Sequence, residues 1–162
     1  MAERVLVTGG AGYIGSVVVA QLLDRGYQPI VFDDLSHGHR AALRRGSTLI
    51  VGDIGDRAAL DRVFAEYQLQ AVMHFAAFIE AGESMRHPEI FFRNNTANAL
   101  TLLEAMIAHN VKRFVFSSTA ALYGTPEKTP IEEDAPLQPT NAYGESKLLV
   151  ERMLEWLHQQ LR

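Results

Sequence analysis

An apolar run, Val5-Leu6-Val7-Thr8, leads directly into Gly9-Gly10-Ala11-Gly12-Tyr13-Ile14-Gly15 and then into a helical pattern. That order, strand to glycine turn to helix, admits few folds. Glycines permit a sharp turn and close backbone approach, and the helix start offers unpaired N–H groups and a partial positive charge to a pyrophosphate. Gly10, Gly12 and Gly15 satisfy G-x-G-x-x-G, while Gly9, Gly12 and Gly15 satisfy G-x-x-G-x-x-G. A structural turn without a ligand is the alternative reading, and the flanking strand and helix weigh against it.

The rest of the chain repeats the alternation. Segments 4–8, 28–33, 48–53, 70–75 and 113–118 read as strands, separated by helices starting near Tyr13, Arg57 and Pro88. This predicts an α/β, doubly wound parallel sheet of the Rossmann type. Residues 34–45 carry loop chemistry, a loop punctuated by Pro126, Pro130, Pro136 and Pro139 covers 123–140, and a last helix begins near Asn141. That helix has too many apolar positions for one narrow stripe, so it either faces the sheet and a second partner or is an end helix with a broad core face.

With 162 residues, 48% hydrophobic and 21% charged, the chain has ordinary globular composition, and a single domain over 1–162 is expected. A net charge of −4 and no Lys/Arg cluster argue against nucleic acid. No apolar stretch is long enough for a membrane span. The lack of cysteine excludes disulfides and thiolate metal sites, and a cytoplasmic location is expected.

Asp33 ends the second strand about 20 residues past the glycine loop, where a carboxylate accepts from adenosine ribose hydroxyls and repels a 2′-phosphate, selecting NAD over NADP. The alternative reading of Asp34 is a solvated loop or helix-start residue. Asp53 either bonds the adenine amino group, with Ile54 adding a backbone contact, or caps a helix starting over 53–57. Tyr143 and Lys147 stand four apart on the last helix and share a face. A tyrosine of pKa ~10 is a poor base until a fixed positive charge favours its ionised form. Lys147 supplies that charge.

The second glycine spacing, the run Phe116-Ser117-Ser118-Thr119-Ala120-Ala121-Leu122-Tyr123-Gly124 and Tyr143-x-x-x-Lys147 together resemble the extended short-chain dehydrogenase/reductase family. Asp33-Asp34-Leu35-Ser36, Gly52-Asp53-Ile54, His74-Phe75-Ala76-Ala77, Gly82-Glu83-Ser84 and Phe92-Arg93-Asn94-Asn95 support the likeness. The resemblance implies NAD held by Gly9, Gly12, Tyr13, Ile14, Gly15, the turn Asp33, Asp34, Leu35, Ser36, His37 and Gly38, then Asp53, Ile54, Phe75, Ala76, Ala77, Asn94, Ser117, Tyr143 and Lys147.

It further implies catalysis by Tyr143, Lys147 and Thr119, with Thr119 and Tyr143 on the substrate. The reaction implied is redox-neutral epimerisation at C4 of a nucleotide sugar, a UDP-hexose such as UDP-glucose or UDP-galactose, through a 4-keto sugar. Tyr143 is base and then acid. Related dehydratases need an acid and a base after the hydroxyl residue, and Ala120 and Ala121 can move no proton. Ile79 stands where some relatives carry a lysine. Alternatives are an NAD-binding module or half-enzyme needing a second polypeptide, and another nucleotide-sugar epimerase or reductase of the family.

No metal is expected. His37 and His39 lie in a polar loop with no third ligand, His74 reads as a packed core histidine, and His87, His109 and His158 read as helix-end or surface residues. Glu132, Glu133 and Asp134 form a solvated acidic loop. The resemblance is expected to be to an N-terminal NAD-binding portion only, with the fold truncated before its last strands and the C-terminal substrate domain absent. Little turnover by the chain alone is expected from that, as is a homodimer through the 88–110 segment and the Tyr143 helix.

Overall fold

The computed structural model describes residues 2–160. Among these, two compact units form, one from residues 2–76 and Thr101–Ser117 and the other from Ala77–Leu100 and residues 118–160. The first unit is the sheet. Strands β1 (Arg4–Thr8), β2 (Gln28–Asp33), β3 (Thr48–Val51), β4 (Ala71–His74) and β5 (Arg113–Phe116) pair only in parallel, in the order β3-β2-β1-β4-β5. The chain runs outward from β1 to β3, then returns past β1 to build the other half. β1 is therefore central, and the strand order reverses between it and β4.

Helices α1 (Tyr13–Asp24) and α2 (Arg57–Tyr67) follow β1 and β3. Val5, Val7, Val19 and Val31 form a buried cluster against which Leu22, Leu23, Met73 and Phe75 pack. Each such aliphatic side chain is worth about 1.5–3 kcal/mol when fully buried. α2 starts at Asp56, whose carboxylate accepts from Ala59 N–H at 3.0 Å, and ends at Gln68 in the left-handed region with φ 47°. Arg57 pairs with Asp61 and Glu104, and His109 Nε2 sits 3.0 Å from Asp61 Oδ1 with its ring stacked on Phe64. His109, at the end of the helix that precedes β5 as the sequence suggests, thereby also ties that end to α2.

Three strands are shorter than the sequence predicts, because their carboxyl ends leave the ladder early. Gly52, Phe75 and Ser117 still donate one N–H each, to Asp33, Thr8 and His74. Beyond them the chain turns into loops.

The second unit holds α3 (Ala81–Ser84), α4 (Pro88–Phe91), a π-helical turn (Phe92–Ala97) and α6 (Ala142–Gln160), and α5 (Asn98–Ala108) carries the chain back to the first. The single helix expected from Pro88 is thus broken at Phe92, where the buried Asn95 takes its partners from outside the helix. A 3₁₀ turn (Ala120–Tyr123) and the proline loop precede α6.

The expectation of a fold truncated before its last strands is corrected by this arrangement. All five strands lie in one continuous sheet, and past β5 the chain folds on into the second unit and a helix of 19 residues. Among the described residues, no helix is long and apolar enough to cross a membrane, and no group of histidine and carboxylate side chains is arranged to hold a metal ion.

Candidate active site

The glycine loop is held by backbone packing against backbone. Gly9 has φ +68°, and a Cβ there would stand 2.5 Å from the Ala76 nitrogen; at Gly15 it would stand 2.2 Å from the Gly9 carbonyl oxygen. Neither position tolerates a side chain. At Gly12, the residue before α1, the nearest atom is the Gly9 oxygen at 3.3 Å, and no side chain caps the helix. The first-turn N–H groups of α1 therefore lack both an intrahelical partner and a cap. Tyr13 and Ile14 flank them, 90% and 56% exposed.

Asp33 is buried at the end of β2. Its Oδ2 accepts from Ala11 N–H and its Oδ1 from Leu35 N–H, both at 2.9 Å. A carboxylate has about four acceptor positions, so two remain for ribose hydroxyls. Gly38 covers this carboxylate closely: a Cβ there would lie 2.7 Å from Asp33 Oδ1. Asp34 closes its own turn, accepting from the N–H and hydroxyl of Ser36. His37 and His39 are exposed in the same turn.

Asp53 accepts from Gly55 N–H at 2.7 Å, and the cap of α2 is Asp56, which removes the capping reading of Asp53. Ile54 is buried. His74 is a core histidine, its Nδ1 2.6 Å from the Thr8 hydroxyl. Phe75 donates its N–H to Thr8, and Ala76 backs Gly9. Ser117 ends the β4–β5 ladder.

Thr119, Tyr143, Lys147, Asn94 and Ala77 belong to the second unit. Thr119 has extended backbone, and its hydroxyl accepts from Ala121 N–H at 3.1 Å, starting the 3₁₀ turn. α6 opens on Asn141, whose Oδ1 accepts from Gly144 N–H at 2.8 Å. Gly144 lies directly on that 3₁₀ turn, since a Cβ on it would come within 2.7 Å of the Ala121 oxygen. Missing side-chain bulk at Gly144 thus lets α6 rest against the turn that Thr119 caps.

Lys147 is 3% exposed, and burial pushes its ammonium down from 10.5 to about 8. A buried cation favours a negative charge nearby, and Tyr143 lies one turn away on the same helix.

One residue of this constellation was quoted in the sequence but given no role. Asn95, 1% exposed, accepts from Phe78 N–H at 2.9 Å and Asn94 Nδ2 at 3.0 Å, and donates to Phe78 O at 2.9 Å and Ser146 Oγ at 3.1 Å. Ser146 Oγ in turn donates to Tyr143 O at 2.7 Å, and Thr96 donates to Ser146 O. The amide is saturated, and it ties Asn94 and the Tyr143–Lys147 turn to one buried point. The adjacent pair of asparagines was the available signal. A cavity of about 450 Å³ within the proline loop, lined by Tyr123, Glu127 and Gln138 among others, contains none of the residues assigned from the sequence.

A family described as the NAD dependent epimerase/dehydratase family matches residues 5–161. A UDP-glucose 4-epimerase of Azospirillum brasilense is 54% identical over 151 residues, covering 93% of this chain and 43% of its own. A crystal structure of a UDP-glucose 4-epimerase superposes with a TM-score of 0.96 at 45% identity, covering 98% of this chain and 48% of that one. The UDP-glucose 4-epimerase of Brucella ovis in complex with NAD gives 0.92 at 42%, covering 95% and 47%. The likeness is therefore not confined to an N-terminal NAD-binding portion, as expected from the sequence: it extends over 98% of this chain, second unit included. The chain spans about half the length of the curated relatives it matches, 43% to 48% of each.

Proposed function

Because the chain belongs to the NAD dependent epimerase/dehydratase family, we propose that it binds NAD and uses Tyr143, Lys147 and Thr119 to epimerise a UDP-hexose at C4. The residues present suit the cofactor: an uncapped helix start behind a loop that is open at Gly12, and a carboxylate at Asp33 with acceptor positions to spare. When bound, NAD supplies the acceptor and donor of hydride at C4.

Tyr143 takes the 4-hydroxyl proton as the C4–H bond breaks, and returns a proton to the carbonyl oxygen when hydride comes back to the other face. Lys147, with its ammonium at about 8, is still mostly protonated at pH 7 and stabilises the Tyr143 phenolate. Thr119 donates to the sugar O4. Ala120 and Ala121 offer no acid or base for eliminating water, which favours epimerisation over dehydration.

The observation that carries this reading is the Tyr143–Lys147 turn itself, with its cation buried, its position fixed by Asn95 and Ser146, and its helix resting on the Thr119-capped turn. It is tested by calorimetric titration with NAD, followed by assay of UDP-glucose and UDP-galactose interconversion against Tyr143→Phe. Expected are one NAD site per chain and a loss of at least about 100-fold in rate in the variant. A wild-type chain that takes up no NAD would refute the proposal.

A second copy of the chain is the proposed partner. Ile90, Phe92 and Leu100 on the 88–110 segment, and Trp156 on α6, are 43%, 36%, 39% and 69% exposed. Sedimentation at micromolar concentration distinguishes a dimer from a monomer.

A further inference from the structure

Among the described residues, three other than glycine stand in the left-handed backbone region: Leu35 with φ 62°, Gln68 with φ 47° and Asn110 with φ 56°. Gln68 and Asn110 follow helices, where that conformation closes the last turn. Leu35 closes no helix. It lies in the loop after β2, and an aliphatic side chain offers no local hydrogen bond to offset the strain.

The N–H that Leu35 gives to Asp33 Oδ1 is not the reason for it. Ser36 and Gly55 donate to Asp34 and Asp53 across the same two-residue spacing, at 2.9 and 2.7 Å, and neither has a left-handed backbone. What the left-handed residue adds is a reversal of the chain. Residues 36–39 run back over the carboxylate, so that a Cβ on the buried Gly38 would lie 2.7 Å from Asp33 Oδ1, 3.0 Å from Oδ2 and 2.9 Å from the Ala11 Cβ. His39 then donates its N–H to Ala11 O at 2.9 Å, and Ala11 donates its own to Asp33 Oδ2. Leu35 is the bend of a closed clamp around one carboxylate. Every residue of it belongs to the first unit.

We propose that Leu35 is a positioning residue for cofactor choice: its left-handed backbone, rather than its side chain, closes this clamp and fixes the orientation in which Asp33 meets the 2′ position of the adenosine ribose. This deepens the NAD-binding reading above and rests on it. A 2′-phosphate is rejected only while the carboxylate stays in place, and an aspartate free to change rotamer relieves the repulsion.

The test measures NAD and NADP dissociation constants for wild type, Leu35→Gly, Leu35→Ile and Leu35→Pro. Glycine adopts the left-handed conformation freely, so Leu35→Gly should keep the ratio of the NADP constant to the NAD constant within ~2-fold of wild type. β-Branched isoleucine resists that conformation, and proline, fixed at a φ of about −65° and lacking an N–H, cannot adopt it. In both variants the ratio should fall by ~5- to 10-fold. A leucine that acts by side-chain packing would give the reverse order, with isoleucine nearest wild type and glycine furthest from it. That order would overturn the proposal, as would a wild-type ratio in Leu35→Pro. A wild-type chain that takes up no NAD would instead defeat the NAD-binding reading, and one that binds both cofactors equally would defeat the assignment of Asp33 to the ribose, each taking this inference with it.

Discussion

Burial of Lys147 works against folding, and in the proposed mechanism it works in favour of catalysis. Its folded value of about 8 lies below its ordinary 10.5, so the folded chain disfavours the ammonium. The penalty is absent above pH 10.5, grows as pH falls toward 8, and is constant below that. Lys147→Met should therefore raise stability at pH 7 by roughly 2–3 kcal/mol while abolishing epimerisation, the gain shrinking above pH 8 and vanishing near 10.5. Urea midpoints of the two proteins across that range check it, and equal midpoints at pH 7 would refute it. Asn95 is a second buried polar side chain, uncharged and with its bonds complete. Asn95→Asp keeps the shape but leaves Phe78 O and Ser146 Oγ without their donor, and should cost about 2–4 kcal/mol in urea unfolding at pH 7. The Tyr143–Lys147 pair was legible in the sequence because its spacing is one helical turn. Asn95 was not, because its partners at Phe78 and Ser146 are 17 and 51 residues away.

The glycine loop separates two reasons for having no side chain, and substitutions should separate them too. Gly15→Ala drives a Cβ to within 2.2 Å of the Gly9 carbonyl, backbone against backbone, and should destabilise the chain by about 1–3 kcal/mol as well as remove NAD binding. Gly12→Ala meets only the same oxygen at 3.3 Å, so it should cost under ~1 kcal/mol while still weakening NAD, because the methyl group stands where the pyrophosphate approaches. Thermal midpoints and NAD titrations of both variants decide this, and equal destabilisation would remove the distinction. β1 and β2 stand where periodicity puts them, at Arg4–Thr8 and Gln28–Asp33. The carboxyl ends of β3, β4 and β5 were overread by one or two residues, since composition does not mark where a ladder stops and Gly52, Phe75 and Ser117 each still donate one N–H to the neighbouring strand before the backbone turns away. The break at Phe92 escaped for a related reason. A π-helical turn shifts the register of a helix without changing its composition, and only the buried Asn95 marks it.

For the chain as a whole, ligand preference should appear as stability. A ligand that binds only the native state stabilises it by about 2.7 kcal/mol at a hundredfold excess over its dissociation constant. For a chain of 162 residues that amounts to a rise of roughly 5–10 °C in thermal midpoint. NAD should produce this rise, and NADP should not. Asp33 cannot swing away from a 2′-phosphate, since its two oxygens are held by the N–H groups of Ala11 and Leu35 and a Gly38 Cβ would already crowd it at 2.7 Å. The repulsion is therefore fixed in place rather than relieved by a change of rotamer. Asp33→Asn keeps the shape, removes the charge and exchanges one acceptor for a donor, so it should narrow the gap between the two cofactors without making NADP the better ligand. Thermal midpoints against NAD and NADP concentration, for wild type and this variant, measure that gap, and a wild-type chain stabilised equally by both would refute the assignment of Asp33 to the ribose.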